Sequence, residues 1–264
     1  MSRSDRTERL RRWALEEGFD HAGVARLEPS EHGEYFLRWL EVGRHAGMDY
    51  LARRTDSRVD PRRIFPGARS ALCVTLRYAP LAGEEESEGD LWPRVARYAR
   101  GRDYHRIMKK GLKRLARRIE EGYPGSRVRW YVDTGPVLER EIAQRAGLGA
   151  VGKNTCLLRE DGGSYFFLGE LFLSLELAPD EAATDMCGSC TLCLEACPTD
   201  ALPEPFQLDS ARCISYWTIE HRGHLPLDAR EMIGDWVFGC DVCQEVCPWN
   251  RRPQEPADHP DLRL

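Results

Sequence analysis

The chain has 264 residues, 42% of them hydrophobic and 31% charged, with a formal net charge of −5. That composition fits a globular protein of one large domain or two ordinary ones, and it excludes a small disulfide-stapled module or a disordered segment. No apolar run approaches the roughly 20 residues a membrane helix needs, and the opening MSRSDRTERLRRW lacks the apolar stretch of a secretory signal, so the expected setting is cytoplasmic with no membrane partner.

In chain order, residues 5–18 place Leu10, Trp13 and Ala14 at helical spacing, and 33–54 predict a second amphipathic helix. Residues 71–78, apolar and stopping before Pro80, predict a buried strand. An acidic, glycine-containing loop follows at 84–90. From 103 to 121, Ile107, Met108, Leu112, Leu115 and Ile119 share one helical face. Val128, Trp130 and Val132 alternate as a short strand ends, Pro136 marks the expected start of the next helix, and 165–177 predict another strand. Helices alternating with strands imply an α/β or α+β first domain.

Charge is uneven along the chain. Between Arg94 and Arg129 thirteen Lys or Arg face three acidic residues. Such a run is either a solvated helix face or a surface for phosphates, because steering depends on the local field and not on the total charge.

Eight of the ten cysteines lie between Cys187 and Cys247. Cys187, Cys190, Cys193 and Cys197-Pro form a C-x2-C-x2-C-x3-C-P run; Cys240, Cys243 and Cys247-Pro repeat its ending, and Cys213 upstream supplies the missing member. Two such runs are the signature of a two-cluster bacterial ferredoxin module, in which the last cysteine of each run crosses to the other cluster. The rule assigns Cys187, Cys190, Cys193 and Cys247 to one 4Fe-4S cluster, and Cys197, Cys213, Cys240 and Cys243 to the other. Structural zinc also uses C-x2-C pairs but has no need of the third cysteine or the Cys-Pro ending. Cys73 and Cys156 read as small buried side chains, with Cys156 close to a glycine loop at 147–152. That loop fits G-x-G-x-x-G, but it follows a helix and lacks the acidic partner of a dinucleotide site.

Tyr98-Ala-Arg-Gly-Arg-Asp-Tyr-His105, Val132-Asp-Thr-Gly-Pro-Val-Leu-Glu-Arg-Glu141, Gly147-Leu-Gly-Ala-Val-Gly-Lys-Asn154, Cys213-Ile-Ser-Tyr216 and Thr218-Ile-Glu220 together resemble the epoxyqueuosine reductases, from about residue 5 to Asn250. Known members continue into a helical-repeat region, whereas this chain stops at Leu264. The resemblance implies a nitroreductase-like cobalamin-binding domain (1–180), a two-cluster ferredoxin-like domain (181–250) and a tail (251–264). It implies an oxidoreductase that uses cobalamin and electrons from two 4Fe-4S clusters to reduce epoxyqueuosine at the tRNA wobble position to queuosine. The implied partners are the anticodon stem-loop of tRNA and an external low-potential electron donor, with the protein a monomer. A cobalamin-dependent reductive dehalogenase and a plain iron–sulfur electron carrier are the alternatives.

Removing the epoxide oxygen as water takes two electrons and two protons. The family pattern makes Asp133 the proton donor, and a carboxyl shielded from water beside the corrin would keep its proton at neutral pH; read on its own, Asp133 caps the helix expected at Pro136. The resemblance also implies that Arg97, Tyr98, Asp103, Tyr104, His105, Asp133, Arg140, Gly152, Lys153, Asn154 and Ser215 line the cofactor or substrate pocket.

Overall fold

The computed structural model describes residues 1–78, 93–251 and 259–262; the expected acidic loop at 84–90 lies outside them. Its elements run α1 (Arg3–Glu16), β1 (His21–Arg26), α2 (Gly33–Glu41), α3 (Thr55–Val59), β2 (Ser70–Arg77), β3 (Arg94–Val95), α4 (Tyr104–Gly122), β4 (Val128–Tyr131), α5 (Glu139–Arg145), β5 (Ala150–Val151), β6 (Leu157–Leu158), β7 (Phe166–Leu173), α6 (Leu192–Glu195), α7 (Leu227–Ile233), β8 (Trp236–Phe238) and α8 (Val242–Glu245). The main sheet has strand order β1-β2-β7-β4 with every pair antiparallel. The first part of the chain is therefore α+β, with helices on both sheet faces.

Side-chain alternation along the strands divides the core in two. Leu72, Val74 and Leu76 of β2, with Leu171 and Leu173 of β7, pack on Leu10 and Trp13 of α1 and on Met108, Leu112, Leu115 and Ile119 of α4. On the other face Ala71 and Cys73, with Phe166 and Phe172, pack on Ile142 and Ala143 of α5. Because both faces are covered, β2 and β7 read as continuous apolar runs. Truncating a fully buried α4 leucine to alanine would cost about 2–5 kcal/mol.

Local signals explain most element ends. Ser2 and Asp5 form a reciprocal capping box that starts α1, and Asp103 caps α4 by accepting from the His105 N–H at 3.0 Å. Two expectations need correction. The helix expected over 33–54 is cut to α2, because Gly43 turns left-handed at φ 73° and is followed by turns with Ala46 and Arg54 also at positive φ. The helix expected at Pro136 begins three residues later, at Glu139: residues 133–138 stay irregular, with Gly135 tucked against Tyr131 and unable to adopt helical backbone easily before a proline. Asp133 therefore caps no helix.

The cysteine-rich part is tied to the sheet part by backbone pairing, since β3 runs parallel to β8. A small apolar cluster of Ala96, Ile214, Ile233 and Trp236 underlies that joint. Among the described residues no helix is long and apolar enough to cross a membrane. Gly23 sits where β1 meets α5, and a Cβ there would lie 2.1 Å from the Ala146 carbonyl oxygen. Gly23→Ala is expected to lose about 1–3 kcal/mol of unfolding free energy, measured by denaturant titration of the metal-free protein.

Candidate active site

The eight cysteines of the two runs are all free thiols, and they gather in two places. Cys187, Cys190, Cys193 and Cys247 line one cavity of about 240 Å³. Cys197, Cys213, Cys240 and Cys243 line a larger one of about 420 Å³. Each cavity thus holds the four cysteines that the crossing rule groups together, and α6 and α8, which carry Cys193 and Cys243, pack against each other. Among the described residues no three His, Cys, Asp or Glu side chains close on a single ion-sized point. Burial raises the Cys193 thiol to about 11 and the Cys240 thiol to about 12; iron binding would therefore release protons.

The segment after the glycine loop clamps both thiol sets. Lys153 donates its backbone N–H to Cys187 Sγ at 3.4 Å and its Nζ to the Gly188 and Cys190 carbonyls at 2.6 and 2.9 Å. Asn154 donates to the Cys243 carbonyl at 3.1 Å and accepts from the Cys156 N–H at 3.1 Å. Arg97 donates its N–H to Asp241 at 2.6 Å while its guanidinium lies over the Tyr165 ring. Lys153 and Arg97 thus join the two parts of the chain and are not among the residues lining the larger cavity. Gly152 is a packing requirement, for a Cβ there would meet Leu158 Cδ1 at 2.6 Å.

The larger cavity lies between the sheet part and the cysteine-rich part. Tyr98, Tyr104, Asp133, Arg140, Asn154 and Ser215, six of the eleven residues expected around the cofactor, line it together with Cys197, Cys213, Cys240 and Cys243. Asp103 and His105 stand just behind its rim. His105 Nδ1 lies 2.9 Å from Asp103 Oδ1 and its Nε2 lies 3.2 Å from Asp133 Oδ2, so the imidazole bridges the two carboxylates. The hydrogen bond from His105 lowers the Asp103 carboxyl below its ordinary value. Asp133 adopts φ 56°, a left-handed conformation that Asp tolerates better than most residues. Tyr104 is hydrogen-bonded to it, and burial raises the Tyr104 phenol well above its usual range. The chain alone does not shield Asp133, whose side chain is 59% exposed; a dry environment for it must come from what fills the cavity.

Three groups near Asp133 were not foreseen as part of the site. Glu139 lines the cavity, and Glu170, fully buried on the central strand β7, touches it from behind. A carboxylate inside the apolar run Phe166–Leu173 was the one available signal. Cys156, expected to be a bystander, also lines the cavity and pairs with the Cys243 thiol.

The residues fit the groups that the sequence implies. Eight thiols in two sets of four suit two iron–sulfur clusters, and a cleft floored by Tyr104, Phe166 and Phe167 and rimmed by Arg140, Asn154 and Ser215 offers flat apolar contact and amide partners to a corrin.

Comparison with known proteins agrees with this layout. Residues 186–250 match the family model described as "4Fe-4S double cluster binding domain", and residues 58–134 match "Epoxyqueuosine reductase QueG, DUF1730". An epoxyqueuosine reductase from Pseudomonas aeruginosa is 44% identical over 260 residues, which is 94% of this chain and 70% of that protein; the Escherichia coli enzyme is 37% identical over 97% of this chain and 70% of its own length. A crystal structure of epoxyqueuosine reductase with an epoxyqueuosine-modified tRNA-Tyr stem loop superposes with a TM-score of 0.85 at 32% identity, covering 98% of this chain and 68% of that one. The Streptococcus thermophilus enzyme gives 0.87 at 30% identity over 95% and 68%. A catabolic reductive dehalogenase shares the fold alone, at 17% identity and a TM-score of 0.62 over 96% of this chain and 33% of that one. On these identities and coverages, the chain belongs to the epoxyqueuosine reductase family.

Proposed function

We propose that this protein reduces the epoxide of epoxyqueuosine in tRNA to queuosine, with Asp133 as proton donor in the cavity between its two parts. The observation that carries the reading is that Asp133 and four cluster-type thiols open onto the same cavity. The epoxide carbons gain two electrons, both carbon–oxygen bonds break, and the oxygen takes two protons and leaves as water. When bound, cobalamin and the two clusters supply the electron chemistry. Tyr98, Tyr104, Arg140, Asn154 and Ser215 would hold the corrin, while His105 and Tyr104 fix the Asp133 carboxyl toward the reacting oxygen. The thiol set of Cys187, Cys190, Cys193 and Cys247 lines a cavity that Asp133 does not line, and we assign to it the receipt of electrons from an external low-potential donor.

The basic segment supports a tRNA substrate over a small one. Arg106, Lys110, Lys113, Arg114 and Arg117 are exposed along α4, and a groove of about 410 Å³ lined by Arg102, Arg106, Lys110 and Arg114 runs from Asp103, beside the His105 bridge. Arg102, Arg106 and Arg114 have acidic neighbours in Asp261, Asp103 and Glu17, so Lys110 and Lys113 are the better probes of phosphate binding. The double variant Lys110→Glu/Lys113→Glu is expected to weaken binding of an anticodon stem-loop about equally for all sequences. The slope of log K against log salt should fall by about one for each phosphate that the variant no longer neutralises.

Reconstituted protein given a strong reductant and epoxyqueuosine-containing tRNA should yield queuosine by nucleoside analysis. An intact epoxide, with iron and cobalamin both bound, would refute the reading.

A further inference from the structure

Glu139 and Glu170 meet close to Asp133, and neither has an assigned role. Glu170 is 0% exposed, on the face of β7 that packs on α5. Neither of its carboxyl oxygens, nor Glu139 Oε1, has a hydrogen-bond partner among the described residues when all are counted as acceptors. The two side chains nevertheless touch. Glu170 is sealed from water and Glu139 is only partly exposed at the cavity wall, so keeping both carboxylates charged while they touch is costly. A proton between them turns the contact into a hydrogen bond that joins one oxygen of each side chain.

The surroundings reinforce this. Opposite Glu170 on the neighbouring strands stand Cys73 and Tyr131, neither of them cationic. Around Glu139 stand Asp133, Tyr104, Arg140 and, on α3, Arg58. Arg140 gives its Nη1 to Thr155, and Arg58 gives its Nη1 and Nη2 to the Gly135 and Tyr50 carbonyls. Burial, followed by the neighbouring acids, raises both carboxyls above their ordinary values. The Asp133 backbone N–H points to the Glu139 carboxyl, which places the pair directly behind the donor.

We propose that Glu139 and Glu170 form a proton store for Asp133, holding two protons at rest and one, shared between them, after each delivery. The inference rests on the proposed epoxide reduction, which consumes two protons while Asp133 holds only one. Asp133 gives its proton to the departing oxygen and becomes a carboxylate. Glu139 then passes a proton to Asp133, and the remaining proton is shared as a COOH···OOC⁻ contact with Glu170. Asp133 delivers the second proton, and the oxygen leaves as water. Solvent entering the emptied cavity returns one proton to Asp133 and one to the pair. In this scheme Glu139 and Glu170 act through Asp133 and touch no substrate.

The test uses Glu170→Gln and Glu139→Gln, each nearly isosteric and able to keep one hydrogen bond to the remaining acid. Infrared spectra of the metal-free protein at neutral pH should show a protonated-carboxyl band in the wild type that each substitution diminishes. Thermal melting gives a second reading without substrate. A carboxyl whose folded value is raised contributes stability that is complete below its unfolded value of about 4.3 and is lost as pH rises through the folded value. The wild-type melting temperature should therefore fall more steeply above that pH than that of Glu170→Gln. In the loaded enzyme, single-turnover rates at pH 8 should fall about 10-fold or more in either variant, with the alkaline decline of the wild-type profile flattened. Unchanged infrared bands, or a variant profile that superimposes on an active wild type, would overturn the proton store. An inactive wild type would instead refute epoxide reduction and the supply role with it, while the infrared band still decides whether the shared proton exists.

Discussion

Replacing Asp133 with asparagine will lower single-turnover epoxide reduction by about 10²–10⁴-fold, the range usual for loss of a general acid, while bound iron and cobalamin stay at wild-type levels. Asparagine has the same shape, tolerates the left-handed backbone at φ 56°, and still has an oxygen to meet His105 Nε2, which lies 3.2 Å away in the wild type. It differs in having no acidic proton. Fold, cofactor pocket and imidazole bridge should therefore survive, and the loss isolates proton donation. His105→Gln makes an informative companion. It breaks the link between Asp103 and Asp133 without removing the acid, so its effect should be smaller and fall on the orientation of Asp133. The measurement is queuosine formed per enzyme in one turnover, with iron and cobalt determined on the same sample. Full activity in the Asn variant would move the acid elsewhere in the cavity, and Glu139 is the next carboxyl lining it.

Features that follow from chemistry within a dozen residues were legible in the sequence. The spacing of the cysteine runs proposes a division into two sets of four, and the thiols of each set line one cavity. The core face of α4 follows from periodicity. Features that depend on the backbone turning back on itself were not. Strand β1 is too short and mixed to stand out, and it is defined by register with β2, from His21 opposite Thr75 to Arg26 opposite Ser70. The stretch after Val42 has helical composition, but Gly43 ends the helix by its left-handed backbone. Lys153 was expected at the cofactor because its motif surrounds it; the structure sends its ammonium to the Gly188 and Cys190 carbonyls, the nearer of them 35 residues away along the chain. Glu139 and Glu170 become a pair only when α5 packs on β7, so no spacing in the chain announces them.

Cys213 offers the sharpest test of the ligand partition, because it belongs to neither compact run. Cys213→Ala should leave a protein that retains about four iron instead of about eight, having lost the set shared with Cys197, Cys240 and Cys243. Cys247→Ala should also retain about four, yet it empties the other place, although Cys247 follows Cys240 and Cys243 in sequence. Equal iron contents with different spectra would establish the crossing, and the two variants should also differ in function. The Cys213 set shares its cavity with Asp133, so its loss removes the ligands beside the reacting oxygen, and turnover should be abolished with any reductant. The Cys247 variant keeps those ligands intact, and a small reductant able to enter the cavity should restore part of its activity while a protein donor should not. Identical inactivity of both variants with a small reductant would mean that the two thiol sets are not arranged in series toward Asp133. Cys156 provides the control. It lies against Cys243 yet outside both sets of four, so Cys156→Ala should keep about eight iron, and loss of iron from it would assign a ligand that the crossing rule does not contain.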